Sequence, residues 1–138
     1  MHRKRLVMLL CLAALAAVVF ILNQLAVEHY LYWVYWWYDI PMHFLGGALI
    51  GGLAAWGVLS WKSNLTFGTT FVYTMAAIAL VGIGWEAFEY LTGQYAGQPG
   101  IMLDTTLDLI MDIIGASLAA LLIHRASRLP ETAGTTDL

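Results

Sequence analysis

The chain has 138 residues, of which 61% are hydrophobic and only 11% are charged, and its formal net charge is −3. An average soluble domain carries about 25% charged residues, so this sequence has too few to cover the surface of a small soluble protein. The composition therefore argues against a soluble enzyme and a disordered protein, and the acidic balance argues against a nucleic-acid partner. We expect an integral membrane protein.

Four long apolar stretches predict four transmembrane helices. A helix that rises 1.5 Å per residue needs about 20 residues to cross about 30 Å of hydrocarbon. We predict spans at about residues 6–27, 42–61, 68–91 and 105–124. They form a single membrane domain over residues 1–125, and residues 126–138 are expected to be a short disordered cytoplasmic tail. The predicted fold class is thus an all-α, polytopic integral membrane protein.

The basic residues predict the orientation of these spans. They lie before the first span, between the second and third, and after the fourth, at Arg3, Lys4, Arg5, Lys62, Arg125 and Arg128. With four alternating crossings they all fall on one side, which the positive-inside rule makes the cytoplasm. We therefore expect both termini in the cytoplasm and a location in the inner (cytoplasmic) membrane. The first span is interpreted as a retained signal anchor, because its apolar run exceeds that of a cleaved signal peptide.

An aromatic segment, residues 30–38, lies where the chain is expected to leave the membrane on the outer side. Trp and Tyr side chains prefer the headgroup layer, because one part of each ring system is apolar and another can form hydrogen bonds. We interpret this segment as an interfacial anchor. A stacking surface for a sugar or a lipid headgroup is the alternative.

The carboxylates are concentrated at or below the outer face. All of the nine except Glu131 and Asp137 lie there, as does His43. Asp112 is about 10 Å inside the fourth span and Glu86 is a turn or more inside the third. A carboxylate at the centre of a membrane helix costs about 2.5–3.5 kcal/mol on insertion scales. Ionisable residues at such depths are candidates for a functional site.

Helical spacing predicts that these residues converge. Side chains three or four positions apart share one face of a helix. Three such faces carry acids or His near the outer end and Gly below. They are formed by Asp39, His43, Gly47 and Gly51 on the second span, by Gly82, Glu86, Glu89 and Tyr90 on the third, and by Asp104, Asp108, Asp112 and Gly115 on the fourth. Small residues allow close helix packing, so we predict a polar cup that is closed below and open to the outside.

The chemistry of these side chains suggests roles within the cup. We predict that Asp39, His43, Glu86, Asp108 and Asp112 are catalytic. We predict that Glu89, Tyr90 and Asp104 bind substrate. A divalent cation is the candidate cofactor, with Glu86, Asp108 and Asp112 as candidate ligands. His43, oriented by Asp39 one turn earlier, would serve as general base or nucleophile.

Short motifs in this region resemble those of a known family. They are Asp39-Ile40-Pro41-Met42-His43-Phe44, Trp85-Glu86 and Asp108-Leu109-Ile110-Met111-Asp112-Ile113-Ile114-Gly115. Together they resemble the VanZ-like superfamily of small bacterial membrane proteins, closest to its YjdF-type branch, over about residues 39–122. The resemblance implies an outer-leaflet site that acts on lipid headgroups or lipid-linked carriers, without fixing the reaction. Many VanZ-like sequences have Lys and Asn where this chain has Ile40 and Asp112, so its pocket is more acidic.

Two hypotheses of different classes follow. In the first, the protein is an enzyme in which a lipid headgroup rests in the acidic cup, where a divalent cation supplies the positive charge that a phosphate requires. In the second, it is a non-catalytic membrane protein that binds a cation or protons, assembled as a homo-oligomer because four helices are few for a transporter. A purely structural subunit is disfavoured, because single Asn or Ser residues usually suffice to join membrane helices.

Overall fold

The computed structural model describes residues 2–93 and 101–129. The chain forms α1 (His2–Glu28), α2 (Leu31–Val34), α3 (Asp39–Trp61), α4 (Phe67–Thr92) and α5 (Ile101–Arg128). Every one of these helices except the short α2 is long and apolar enough to cross a membrane. The predicted all-α fold with four transmembrane spans is therefore confirmed.

The helices extend beyond the predicted spans, because a helix can continue past the hydrocarbon into the headgroup layer. α3 begins three residues before its predicted span, and α5 continues through Arg128, beyond the predicted domain boundary at residue 125. The rest of the predicted tail, from residue 130 onwards, lies outside the described residues, as do residues 94–100.

α3 and α5 form the central and most extensive helix pair, and they run in the same direction. A Cβ added to Gly47 would lie 2.6 Å from Cα of Asp112, and one added to Gly51 would lie 2.5 Å from Cα of Ala116. The same register sets His43 level with Asp108. The contacts between the two helices repeat every fourth residue. The face of α3 that carries His43 and the glycines therefore lies along the face of α5 that carries Asp108 and Asp112.

The glycines allow the backbones to approach closely, as the sequence predicted. A Cβ on Gly115 would lie on the carbonyl oxygen of Phe44 and 2.8 Å from the backbone nitrogen of Ala48. On α4, a Cβ on Gly82 would lie 2.9 Å from Oδ2 of Asp112. These approaches bring α3 and α4 close to α5 beside the acidic side chains and directly below them.

Basic side chains cap the helix ends at one end of the bundle. Arg5 donates hydrogen bonds from its guanidinium to the carbonyl oxygens of Ser60 and Leu59, at 3.0 and 3.5 Å. Lys4 donates to the carbonyl of Leu129, and Arg128 to that of Leu65. The last carbonyls of a helix lack intrahelical partners, so Arg5 satisfies two of them at the end of α3, whereas Lys4 and Arg128 bind carbonyls just outside the helices. We call this the basic end, and the opposite end, where α3 and α5 begin, the acidic end.

α1 and α4 each pack against the central pair. α1 packs mainly on α3 and less extensively on α5, and a Cβ added to Gly52 of α3 would lie 2.5 Å from Cδ2 of Leu12. α4 packs on both α3 and α5. In the described part of the chain, α1 and α4 are not packed against each other. A gap therefore separates them in the half of the bundle nearer the acidic end.

Candidate functional site

Four side chains converge between α3 and α5, and we call them the acidic cluster: Asp39, His43, Asp108 and Asp112. The Nε2 atom of His43 lies 3.6 Å from Oδ1 of Asp39 and 3.9 Å from Oδ1 of Asp108. The Nδ1 atom on the other side of the ring lies 3.4 Å from Oδ1 of Asp112. The imidazole is thus surrounded by three carboxylates from two helices.

Three of the four side chains in the cluster are buried, whereas the side chain of Asp39 is 30% exposed. The exposed fraction is 8% for His43, 1% for Asp108 and 7% for Asp112. One buried oxygen, Oδ2 of Asp108, has no hydrogen-bond partner among the described residues. A buried carboxylate oxygen without a donor is costly, so this atom is a candidate position for a proton or a bound cation.

The other predicted acids surround the cluster at different distances. The charges of Glu86 on α4 and Asp104 on α5 both interact with those of Asp39 and Asp108. Glu89 and Asp104 line the large cavity beside the cluster. All of these acids were predicted from helical spacing, and the structure brings them to one end of the bundle.

Tyr90 is not brought to the cluster. Its side chain is 71% exposed and does not line the cavity. A helix has 3.6 residues per turn, so a position eight residues beyond Gly82 is rotated by roughly 80° from it, whereas Glu89, seven residues beyond, stays nearly in line. Tyr90 therefore points away from the cavity, and its contribution to substrate binding stays a prediction.

Three residues of the described chain could hold a metal ion. Asp39, His43 and Asp108 each offer one ligand atom, and these atoms lie within 4.8 Å of one another. The set predicted from sequence was Glu86, Asp108 and Asp112, and it shares only Asp108 with this group. Asp112 lies instead on the far side of the imidazole, where it can orient the ring.

A cavity of about 1010 Å³ adjoins the cluster and is lined by α1, α2, α3, α4 and α5. Its lining is polar toward the acidic end, where it includes Asn23, Tyr32, Asp39, His43, Glu89, Asp104 and Asp112. Farther from that end the lining is apolar, with Ala16, Val19, Phe20, Leu49, Ile50, Ile78 and Val81. Its size is at the upper end of the range for ligand pockets, about 300–1,000 Å³.

Sequence reasoning missed the part that α1 and α2 play in this cavity. The Tyr32 hydroxyl donates a hydrogen bond of 2.9 Å to Oδ1 of Asn23, which fixes the aromatic segment against α1. Burial, with a further contribution from the negative charge of Asp39, raises the pKa of Tyr32 above its ordinary value. The available signal was Asn23 itself, a polar residue that interrupts an otherwise apolar span.

Two tryptophans of the aromatic segment, Trp33 and Trp36, stand at the mouth of the cavity. Their side chains are largely exposed. The interfacial anchor stays a prediction, and the position of both rings puts them beside any molecule that enters the cavity.

Comparison with known proteins identifies a family. A family model described as "Predicted membrane protein (DUF2238)" matches residues 1–128, which is nearly the whole chain. No curated protein and no solved structure matches the sequence.

Proposed function

The chain belongs to the DUF2238 family of predicted membrane proteins, and we propose that its acidic cluster is a divalent-cation centre acting on the headgroups of membrane lipids or lipid-linked carriers. The observation that carries this proposal is the two-sided environment of His43. Its Nε2 atom faces Asp39 and Asp108, while its Nδ1 atom faces Asp112. Metal-binding histidines typically have this environment, with a carboxylate holding the nitrogen that does not bind the metal.

The proposed ligands are Asp39, His43 and Asp108. Three protein ligands leave coordination positions for water and substrate, as in catalytic metal sites. Carboxylate and imidazole donors suit Zn²⁺ and Mn²⁺. A cation here would also neutralise part of the repulsion between the acids and would provide a partner for Oδ2 of Asp108.

The charge of the cavity explains why a cation is needed for lipid chemistry. Its described lining residues include several carboxylates but no Lys or Arg, so an anionic phosphate would be repelled from the protein alone. A bound divalent cation supplies positive charge and can polarise a phosphate ester. We therefore favour hydrolysis or transfer at a headgroup phosphate as the reaction class.

The resemblance to VanZ-like proteins of the YjdF type supports a lipid-directed role and is part of this proposal. The motifs that carry it contain all four residues of the acidic cluster. The positive-inside rule, applied to the basic end, orients the cluster toward the outer leaflet of the cytoplasmic membrane. On this orientation the substrate is a lipid or lipid-linked carrier of that leaflet.

The first test is cation binding by the purified protein. We expect the chelator-stripped protein in detergent to bind Mn²⁺, followed by electron paramagnetic resonance, at a site that Asp108→Asn and His43→Gln each abolish. Glu28→Gln is the matched control, because it removes an exposed carboxylate at the same end. Wild-type protein that binds neither Mn²⁺ nor Zn²⁺ would overturn the proposal.

The second test is the lipid composition of membranes. Mass spectrometry should show a headgroup or lipid-linked carrier whose amount changes when wild-type protein is produced and does not change with Asp108→Asn at equal expression. An identical lipid composition in both cases would contradict the enzymatic proposal.

A non-catalytic protein that binds a cation or protons is the second candidate. It is favoured by the burial of Asp108 and Asp112, because protons or a small ion need less space than a headgroup to reach such groups. This candidate predicts cation binding without any change in lipids, and it requires a homo-oligomer for transport. Cross-linking in native membranes would detect such an assembly.

A further inference from the structure

We infer that the substrate of the proposed centre is an intact lipid that enters through the gap between α1 and α4 and keeps one acyl chain in the apolar half of the cavity. The inference rests on the proposed function, because the headgroup position is that of the acidic cluster. It specifies a membrane-resident lipid whose phosphate is joined to its apolar chain, rather than a soluble phosphate compound.

The walls of the cavity provide the entry route. α1 contributes Val19 and Phe20 to one wall, and α4 contributes Ile78 and Val81 to the other. These helices are not packed against each other in the described part of the chain. The cavity between them therefore opens sideways, toward the hydrocarbon of the membrane, as well as toward the acidic end.

The depth of the cavity matches one leaflet. Its lining on α3 runs from Asp39 to Ile50, a distance of about 16 Å at 1.5 Å per residue. Half of a hydrocarbon core of about 30 Å is about 15 Å. A soluble headgroup would occupy only the polar part near the acidic cluster, whereas a lipid of the adjacent leaflet would fill both parts.

The change from polar to apolar lining along the depth of the cavity also matches the change from headgroup to acyl chain in a lipid. Carboxylates, His43 and the Tyr32–Asn23 pair lie toward the acidic end, and only apolar side chains and Gly46 line the deeper part on α3 below Met42 and His43. Trp33 and Trp36 lie at the level where membrane-interface aromatics are found. A lipid in the cavity would thus keep its headgroup, glycerol region and chain at their usual depths.

Gly46 offers a direct test. It lines the cavity, and a Cβ added there would meet no atom within 4 Å. Gly46→Phe should therefore fill the chain-binding part without displacing a backbone. Gly57 lies on the same helix, is equally open around its Cβ and does not line the cavity, so Gly57→Phe is the matched control.

The probe is a phospholipid with a photoactivatable diazirine near the middle of one acyl chain, in nanodiscs of phosphatidylethanolamine and phosphatidylglycerol. We expect adducts at Val19, Ile50 and Val81 in wild-type protein, and loss of these adducts in Gly46→Phe but not in Gly57→Phe. Adducts at Leu80 and Ile83, which are exposed and do not line the cavity, should remain in all variants. Ala16→Phe, from the α1 wall, is a second blocking variant should Gly46→Phe fail to fold.

Absence of adducts at Val19, Ile50 and Val81 in wild-type protein would overturn the inference, as would their persistence in both blocking variants. Mn²⁺ titration of the same samples separates this result from the proposed cation centre. Asp108→Asn should lose Mn²⁺ binding and keep the chain adducts, whereas Gly46→Phe should keep Mn²⁺ binding and lose them.

Discussion

Nδ1 of His43 lies 3.4 Å from Oδ1 of Asp112, on the side of the ring opposite to Asp39 and Asp108. In the proposed cation centre, Asp112 would therefore hold the imidazole and would not be one of the ligands. We expect Asp112→Asn to weaken Mn²⁺ binding by about 10–100-fold, as substitutions of such outer partners commonly do. The Asn amide oxygen can still accept a hydrogen bond from Nδ1. A loss as complete as that of Asp108→Asn would instead make Asp112 a direct ligand.

We expect Asp108→Asn to make the cation-free protein more stable while abolishing its function. Without a cation, the substitution should raise the free energy of unfolding by about 1–3 kcal/mol, because it removes the charge from a buried group whose Oδ2 atom lacks a donor. Added Mn²⁺ should raise the melting temperature of wild-type protein alone. An Asp108→Asn protein that is fully functional at normal expression levels would contradict the catalytic proposal.

Because α3 and α5 approach closely, a single methyl group added at their interface should lower the free energy of unfolding strongly. Gly47→Ala and Gly115→Ala each place a Cβ against the backbone of the facing helix, and we expect a loss of at least about 1–3 kcal/mol from overpacking. Gly57→Ala meets nothing within 4 Å and should be neutral or stabilising by about 0.5–1 kcal/mol. Unfolding in mixed detergent measures all three. If all three variants were equally stable, α3 and α5 would have to lie farther apart than the structure places them.

The Tyr32–Asn23 hydrogen bond predicts a dependence on alkaline pH. Because burial raises the pKa of the Tyr32 phenol in the folded protein, the unfolded chain releases this proton first as the pH rises. The stabilising contribution is therefore complete below the ordinary phenol pKa of about 10 and declines above it. Tyr32→Phe should cost about 0.5–1.5 kcal/mol at neutral pH and reduce the decline. An unchanged pH profile in Tyr32→Phe would argue against a buried phenol.

The orientation of the bundle is tested by topology reporters. Reporters fused at both termini and near Lys62 should indicate the cytoplasm, and one near Gln98 should indicate the outside, because the basic residues of the chain then all lie inside. A cytoplasmic signal near Gln98 would contradict four alternating crossings.

Much of the site could be predicted because helical spacing is local information. The repeat of Asp104, Asp108 and Asp112 establishes a shared face whatever the helix packs against. The identity of the facing residues is not local, because it depends on the register between α3 and α5. This register places Asp108 of α5 against Asp39 and His43 of α3, so the candidate cation group contains those two residues rather than Glu86 and Asp112.

The cavity also could not be predicted from the sequence, because it depends on how the helices are arranged. Periodicity indicates that α1 is apolar, but it does not reveal that α1 stands apart from α4 and lines a space beside the cluster. Asn23 was visible in the sequence, and its partner Tyr32 lay in a segment assigned to the membrane interface. Only the fold of the α1–α3 connection brings the two together.

The parallel register of α3 and α5 has a consequence for biogenesis. α5 is made after α3 and carries Asp108 and Asp112 into the bilayer, where each charge opposes insertion of an isolated helix. The groups that receive them, His43 and the glycine face below it, belong to a helix already made. We therefore expect entry of α5 into the lipid to be coupled to its docking on α3, so that this crossing and the polar site form in a single event.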